Sequence, residues 1–127
     1  MTSLNPVLSL LSRILLSAIF IKGGFDKLMN PAGTAGFMKT SLVPLPQPEL
    51  LVWGVIGLEL LGGLAILLGV LSRSAALALA VFTLVAAVLF HWKPGDQIQT
   101  IMFMKNLAIA GGLLLLAAHG PGRWARG

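Results

Sequence analysis

The chain has 127 residues, of which 57% are hydrophobic and only 10% are Asp, Glu, Lys or Arg, whereas about 25% of residues are charged in an ordinary soluble domain. Its formal net charge is +5, but the basic residues are scattered singly and several lie inside apolar segments, which argues against a nucleic-acid partner. The chain has no cysteine, so acting alone it carries no disulfide chemistry, thiolate catalysis or cysteine-ligated metal or iron–sulfur centre.

Four apolar segments are long enough to cross a membrane, because a hydrocarbon core about 30 Å thick requires about 20 helical residues. We predict membrane spans at residues 6–27, 48–71, 74–92 and 98–118. They leave no room for a separate soluble domain, so we expect one domain over residues 1–127. The predicted fold class is all-α, an integral membrane four-helix bundle. We expect the first span to be retained rather than cleaved, because Arg13 interrupts its apolar centre.

The first span carries its polar groups on two different faces. Arg13, Ser17 and Lys27 share one broad face at about 100° per residue, and we expect this face to point into the bundle. Lys22 and Asp26 lie four residues apart on another face. We therefore predict a local ion pair between them near the membrane interface.

The connections between the spans differ in length and character. Residues 28–47 are rich in proline and glycine yet too apolar for a free linker, so we expect them to cap one end of the bundle at the membrane surface. We place the short second connection at residues 72–74, which makes the second and third spans antiparallel neighbours. Trp53, Trp92 and Trp124 fall near span ends, where interfacial anchors are common.

Glu59 is the single charged residue between positions 50 and 71. An unpaired carboxylate in hydrocarbon costs several kcal/mol, so we expect a basic group on another span to pair with it. Arg13 and Lys105 both come within reach at about 1.5 Å of rise per residue. Because a guanidinium is the better partner for a buried carboxylate, we predict a structural polar network of Arg13 and Glu59 that sets helix register.

The third and fourth spans also present small-residue faces that carry polar groups. These faces comprise Ala76, Ala80, Thr83, Ala87 and His91 on the third span, and Lys105, Ala108 and Gly112 on the fourth. Small residues let helices approach closely. We therefore expect both faces to pack inside the bundle, within one chain or between chains.

Four polar groups remain for a ligand once Arg13 has been assigned to Glu59. They are Lys27, His91, Lys105 and Asn106, and we predict them around a cavity that opens towards the long first connection. Their excess of positive donors suits an anionic, carbonyl-bearing or phenolic ligand. A purely structural role stays open for each group, since buried polar pairs alone are weak indicators of function.

Metal-ligand spacings are missing from the sequence. No His-x-x-x-His or carboxylate-x-x-His pattern occurs, so we predict no zinc or di-iron site.

Four short motifs together resemble one known family. They are residues 13–20 (RILLSAIF), 23–28 (GGFDKL) followed by Pro31, 57–63 (GLELLGG) and 105–112 (KNLAIAGG). In order and spacing they resemble the DoxX family of small four-span membrane proteins, whose name derives from a subunit of an archaeal thiosulfate:quinone oxidoreductase. The resemblance implies the four-span fold. It also implies a role as an anchor or accessory subunit in redox or stress-response assemblies.

Three functions are open from the sequence. The leading hypothesis is an accessory or anchor subunit, not catalytic alone and without an intrinsic cofactor, that binds a quinone-like or other small lipophilic ligand and docks onto a redox partner. The second is a small proton-coupled or passive transporter in which Glu59 titrates. The third is a structural or assembly protein without a ligand, whose polar groups only specify packing.

The sequence also predicts where the protein is located and how it is oriented in the membrane. We expect a multi-pass protein of the bacterial inner membrane, in contact with lipid and able to self-associate. Basic residues divide equally between the two sides, but Arg123 and Arg126 beside the last span favour cytoplasmic termini. Residues 58–69 resemble residues 107–118, which raises the hypothesis of two repeated helical hairpins.

Overall fold

The computed structural model describes residues 5–122. This range forms five helices: α1 (Asn5–Met29), α2 (Pro31–Met38), α3 (Pro48–Leu68), α4 (Ser72–His91) and α5 (Gln97–His119). All but α2 are long and apolar enough to cross a membrane, which confirms the predicted all-α fold with four candidate spans. Arg123, Trp124 and Arg126, on which the expected orientation and one interfacial anchor depend, lie outside the described residues.

The turn between α3 and α4 lies at residues 69–71, so the predicted connection at residues 72–74 is wrong. Gly69 ends α3 in the left-handed conformation, with a φ of 75°, which glycine adopts without steric cost. Leu71 is also left-handed, with a φ of 53°. Ser72 and Arg73 therefore belong to the first turn of α4.

The four long helices form an up-and-down bundle with one open seam. α1 packs mainly against α3, and α4 mainly against α5, while α3 and α4 join the two pairs. α1 and α5 barely touch. The end covered by α2 is called the α2 end below, and the end that carries the 69–71 turn is called the turn end. The two tightest pairs are consecutive hairpins, and their origin as repeats stays a prediction.

Many small and polar residues point inwards, whereas many large apolar residues point outwards. α4 buries Ala76, Ala80, Thr83 and Ala87, the stripe that its sequence predicts. Large side chains on the outer surface are exposed, as shown by Leu15 (74%), Leu61 (71%) and Leu115 (62%). Water would disfavour so much exposed apolar area. Lipid accepts it, and small inner residues allow the helices to approach closely.

The contact face of α5 differs from the predicted one. α5 buries Asn106, Ala110, Leu113 and Leu116, whereas Ala108 is exposed and Lys105 is only half-buried. The reason is that α5 packs broadly on α4 and hardly meets α1. Its contact face therefore turns towards α4 and leaves Lys105 at the edge of the interface.

Two clusters of buried apolar residues divide the interior. The larger one, at the turn end, includes Ile66, Leu79 and Leu113. The smaller one, at the α2 end, consists of Met38, Val52 and Ile56 with partly buried neighbours. The α2 end thus has the smaller apolar core.

Candidate functional site

A cavity of about 240 Å³ lies at the α2 end. Its apolar wall combines four aromatic side chains, Phe20, Phe37, Phe82 and Phe90, with aliphatic ones. Its polar wall contains all four predicted ligand-binding residues, Lys27, His91, Lys105 and Asn106, together with Glu59 and Thr83. Side chains from five helices thus converge on one space, in which polar groups interrupt a largely apolar surface, as is common for small-molecule sites.

Glu59 forms its ion pair with Lys27 rather than with Arg13 or Lys105. Lys27 Nζ lies 2.7 Å from Glu59 Oε1, and the Glu59 side chain is only 7% exposed. The approach depends on Gly23, because a Cβ built there would lie 3.2 Å from Glu59 Oε2. The predicted Arg13–Glu59 pairing is therefore wrong. Lys27, at the last turn of α1, reaches the carboxylate from the same end of the bundle.

Arg13 lies at the turn end, away from the cavity wall. It is 1% exposed, and its Nη1 approaches the carbonyl oxygens of Ile66 and Leu67 at 3.5 and 3.3 Å. These carbonyls belong to the last turn of α3, where the negative end of the helix dipole favours a cation. Arg13 is thus buried and approaches a helix end, and the structural role predicted for it stays a prediction.

Asn106 links α5 to α4 inside the cavity wall. Its Nδ2 donates a hydrogen bond of 3.2 Å to the backbone carbonyl of Thr83. The Thr83 side chain is buried, at 4% exposure, and its Oγ1 has no hydrogen-bond partner within residues 5–122. A buried hydroxyl without a partner is uncommon and calls for an explanation. Thr83 is a member of the site that the sequence does not single out as a ligand-binding residue.

His91 is oriented by a residue from the next helix. Its Nδ1 lies 2.7 Å from Oε1 of Gln99, near the start of α5. Because an amide oxygen can only accept, Nδ1 carries the proton and Nε2 of a neutral ring is an acceptor. Gln99 therefore sets the tautomer of the imidazole that lines the cavity.

Lys105 has no neutralising partner within residues 5–122. The ion pairs in this range join other lysines to carboxylates, and no side-chain hydrogen bond involves Lys105. It lies about two turns into α5, roughly 12 Å from the first residue of that helix at about 1.5 Å per residue. The cavity wall thus holds a cation whose charge the described chain does not balance.

The first connection covers the cavity, as predicted, and it contains a helix that the sequence did not predict. Phe37 of α2 stacks on Phe90 of α4 with a ring-centroid distance of 5.2 Å. Further along, the backbone N–H of Leu42 donates a 2.7 Å hydrogen bond to the carbonyl of Leu89. These contacts hold the connection across the C-terminal end of α4.

Comparisons with known proteins place this architecture in a family. The sequence model of the DoxX family matches residues 8–92, which is more than half of the chain. The chain belongs to the DoxX family. It is 45% identical to inner membrane protein YqjF of Escherichia coli K12 over 128 aligned positions, which cover 98% of this chain and 93% of that protein. It is 38% identical to inner membrane protein YphA of the same strain over 123 positions, which cover 93% and 86%. No solved structure matches the chain.

These findings fix the location of this DoxX-family chain. Both relatives are inner membrane proteins, and the chain has four helices with the length and hydropathy of membrane spans. We therefore assign it to the inner membrane as a multi-pass protein that contacts lipid.

A second cavity, of about 510 Å³, lies between α1 and α5 at the turn end. Leu16 and Gly112 border it on the side of the first cavity. No Lys, Arg, Asp or Glu from residues 5–122 contributes to its wall. Among the residues that the structure describes, Ser9, Ser12 and His119 add the polar side chains there. The two cavities of this DoxX-family chain therefore differ in charge.

Several contributors to the charged site carry no signal in the sequence. Gln99 lies on a different helix from His91, so helical periodicity cannot pair them. Phe37 belongs to a connection whose fold the proline and glycine content obscures. Thr83 could be found as part of the small-residue stripe on α4, but its unpartnered hydroxyl becomes visible only in three dimensions.

Proposed function

We propose that this DoxX-family protein is an accessory or anchor subunit that holds a quinone-like or other small lipophilic molecule between its helices. The observation that carries the proposal is the cavity at the α2 end, where Lys105, Asn106 and His91 share an aromatic wall with the Lys27–Glu59 pair. Such a wall suits a flat apolar ring, and the polar groups suit oxygen atoms on that ring.

Three residues in the wall of the α2-end cavity have polar groups available to a quinone-like molecule. Lys105 is a donor without a protein acceptor in the described chain. The Thr83 hydroxyl is a buried donor without a partner there. His91 Nε2 offers an acceptor when Gln99 holds Nδ1 protonated. A bound quinone would supply electron-carrying chemistry. The chain's own residues would bind the carbonyl oxygens and exclude water from the ring.

The redox part of the proposal rests on the DoxX resemblance. This chain has no cysteine, so electrons would pass through a bound molecule or through a partner's cofactor. Because electron transfer would depend on a bound molecule or on a partner, we favour an accessory role over independent catalysis.

Identification of the retained molecule tests the proposal. We would purify the protein in native nanodiscs and measure co-purifying small molecules by mass spectrometry, for the wild type, Lys105→Ala and Lys93→Ala. Lys93 is an exposed lysine in the loop before α5, so it is a matched control for loss of one positive charge. We expect one lipophilic molecule per chain in the wild type and the control. Loss of at least about 90% is expected in Lys105→Ala, which corresponds to about 1.4 kcal/mol.

Retention in Lys105→Ala equal to that of the wild type would contradict the assigned binding residue. Only bulk phospholipid in every sample would contradict ligand binding itself. The folded state of each variant would be checked by its thermal transition in the same nanodiscs.

A second candidate, proton-coupled or passive transport, is favoured by the position of the two cavities. Both follow the seam where α1 and α5 barely touch. On α1 they are bordered by Ile19 and Leu16, and on α5 by Ile109 and Gly112. On each helix the residues that border the two cavities are three positions apart, which is about one helical turn, or roughly 5 Å. The two cavities thus lie about one turn apart along the seam.

Flux measurements distinguish this candidate from a binding subunit. If the cavities form a path, liposomes that contain the protein should show proton or solute flux, and Glu59→Gln should reduce proton coupling. Flux that survives Glu59→Gln unchanged would contradict a coupled mechanism, and no flux above that of empty liposomes would contradict transport.

A further inference from the structure

The charge balance of the cavity wall leaves one positive charge. Lys27 and Glu59 neutralise each other across 2.7 Å. His91 uses Nδ1 for the amide oxygen of Gln99. Lys105 contributes an ammonium group, and within residues 5–122 no carboxylate lies at ion-pair distance from it.

The position of Lys105 makes this imbalance costly. A charged side chain inside a membrane span is disfavoured, and in proteins such groups usually face a cavity and meet a counter-charge there. Lys105 does face a cavity. A bound anion would supply the counter-charge that the described chain does not provide for Lys105.

The Thr83 hydroxyl independently points to a ligand with an oxygen acceptor. Thr83 is 4% exposed and lines the same cavity. Its backbone carbonyl already accepts from Asn106, whereas its Oγ1 has no partner in the described chain. A hydroxyl can donate to an anionic oxygen, and hydrogen bonds to charged groups are the stronger ones.

The cavity volume limits the size of the anion. A dry protein cavity of about 150 Å³ accommodates benzene, and the volume here is about 240 Å³. The space therefore admits one ring with a polar head, or a short length of aliphatic chain with such a head. The aromatic side chains of Phe20, Phe82 and Phe90 provide an apolar surface for the body of either molecule.

We propose that the cavity is a binding site for a lipophilic monoanion with a carboxylate or phenolate head, in which Lys105 is the counter-ion and the Thr83 hydroxyl donates a hydrogen bond. This inference rests on the proposed ligand-binding function and adds the charge of the ligand and the residues that select it. The shared chemistry is a single anionic oxygen head on an apolar body, which a free aromatic acid and a fatty acid both supply.

Matched charged and neutral compounds test this selectivity. Benzoate would be compared with benzamide, and decanoate with decanamide, by equilibrium dialysis against protein in phosphatidylcholine nanodiscs at pH 7, with binding to empty nanodiscs subtracted. In at least one pair the anion should bind at least about tenfold more tightly than the amide, as expected for a hydrogen bond to a charged group. Preference within the benzoate pair indicates a free aromatic acid as the source, and preference within the decanoate pair indicates a fatty acid.

Variants assign the preference to the two residues. Lys105→Met should abolish the preference for the anion, whereas Lys105→Arg, which keeps the charge, and Lys93→Met, which removes an exposed charge, should retain it. Thr83→Val, which keeps the shape but removes the hydroxyl, should weaken anion binding about fivefold, within the range for one hydrogen bond.

Each contrary outcome has a distinct meaning. Equal affinity for the anions and the amides would overturn the monoanion assignment while leaving a lipophilic binding site in place. A preference that persists in Lys105→Met would overturn the role of Lys105. Failure of all four compounds to bind above the empty-nanodisc level would contradict this inference, whereas the proposed function is contradicted separately, by retention of bulk phospholipid only in the purified protein.

Discussion

The two ends of the bundle treat their buried cations differently. At the turn end, Arg13 is buried and approaches carbonyl groups in the last turn of α3. At the α2 end, Lys105 lies on a cavity wall without a counter-charge in the described chain. A buried cation held by a helix end fixes register, whereas a cation on a cavity wall without a counter-charge is available to a ligand. The local surroundings, more than the charge itself, therefore separate the structural role from the proposed binding role.

The Lys27–Glu59 pair lies between these two cases. It borders the cavity but is internally neutralised, with Glu59 buried and Lys27 30% exposed. Its first role is therefore to hold α1 against α3. If buried and exposed charges differ in role in this way, substitutions should affect stability in the following order, from the largest effect to the smallest.

Removal of Arg13 should have the largest effect on stability. Arg13→Ala creates a cavity at a position that is 1% exposed and removes contacts with the end of α3. The free energy of unfolding in mixed micelles should fall by about 3 kcal/mol. Arg73→Ala, at an exposed arginine of the same end, should change it by less than about 0.5 kcal/mol. Equal effects of the two substitutions would show that Arg13 has no special structural role.

A double-mutant cycle should couple Glu59 to Lys27 and not to Arg13. The single variants Glu59→Gln and Lys27→Met each break the pair, and a coupling energy of about 2 kcal/mol is expected, below the value for a fully buried pair because Lys27 is partly exposed. The parallel cycle of Glu59→Gln with Arg13→Ala should give a coupling within about 0.5 kcal/mol of zero. The reverse ranking would restore the pairing that the sequence suggested.

Two glycines of α3 should respond in opposite ways to alanine. A Cβ at Gly63 would lie 2.8 Å from Ile21 Cγ1 and 3.3 Å from the Ile21 backbone nitrogen, whereas a Cβ at Gly57 meets nothing within 4 Å. Gly63→Ala should therefore destabilise the fold by about 1 kcal/mol through overpacking of α1 against α3. Gly57→Ala should be neutral or stabilise by up to about 1 kcal/mol, because alanine has the higher helix propensity. Thermal unfolding of both variants decides this, and equal shifts would argue against a close contact at Gly63.

Loss of the outer ion pair should have the smallest effect. Lys22 and Asp26 pair as predicted, but their side chains are 74% and 56% exposed. Lys22→Ala should change the free energy of unfolding by less than about 0.5 kcal/mol, the usual range for an exposed pair. A change comparable to that of Lys27→Met would mean that exposure does not separate the two lysine–carboxylate pairs.

The sequence predicts the elements of this fold better than their partners. Hydropathy and length identify all four long helices, and the small-residue stripe of α4 is buried as predicted. The grouping of Lys27, His91, Lys105 and Asn106 around one cavity also agrees with the prediction. Helical periodicity and depth in the membrane are sufficient for these predictions, because each can be worked out for one helix at a time.

Relations between helices are where the sequence-based prediction fails. Arg13 and Lys27 lie on the same face of α1, so only the packing of α1 against α3 decides which one meets Glu59. The contact face of α5 likewise depends on its weak contact with α1. The short helix α2 was missed because its proline and glycine content resembles that of a loop, although Asn30 caps it by accepting from the backbone N–H of Gly33.

The most direct test of the central claim measures stability and retained molecules together in Lys105→Ala. Native mass spectrometry and thermal unfolding would be carried out on the same nanodisc preparations, with the wild type and Lys93→Ala beside it. We predict that Lys105→Ala loses the retained lipophilic molecule while the transition of its ligand-free form stays within about 2 °C of that of the ligand-free wild type, less than the shift that 1 kcal/mol produces in a domain of this size. A variant that keeps its ligand, or that unfolds like Arg13→Ala, would show that Lys105 is structural and contradict the division of roles between the two ends.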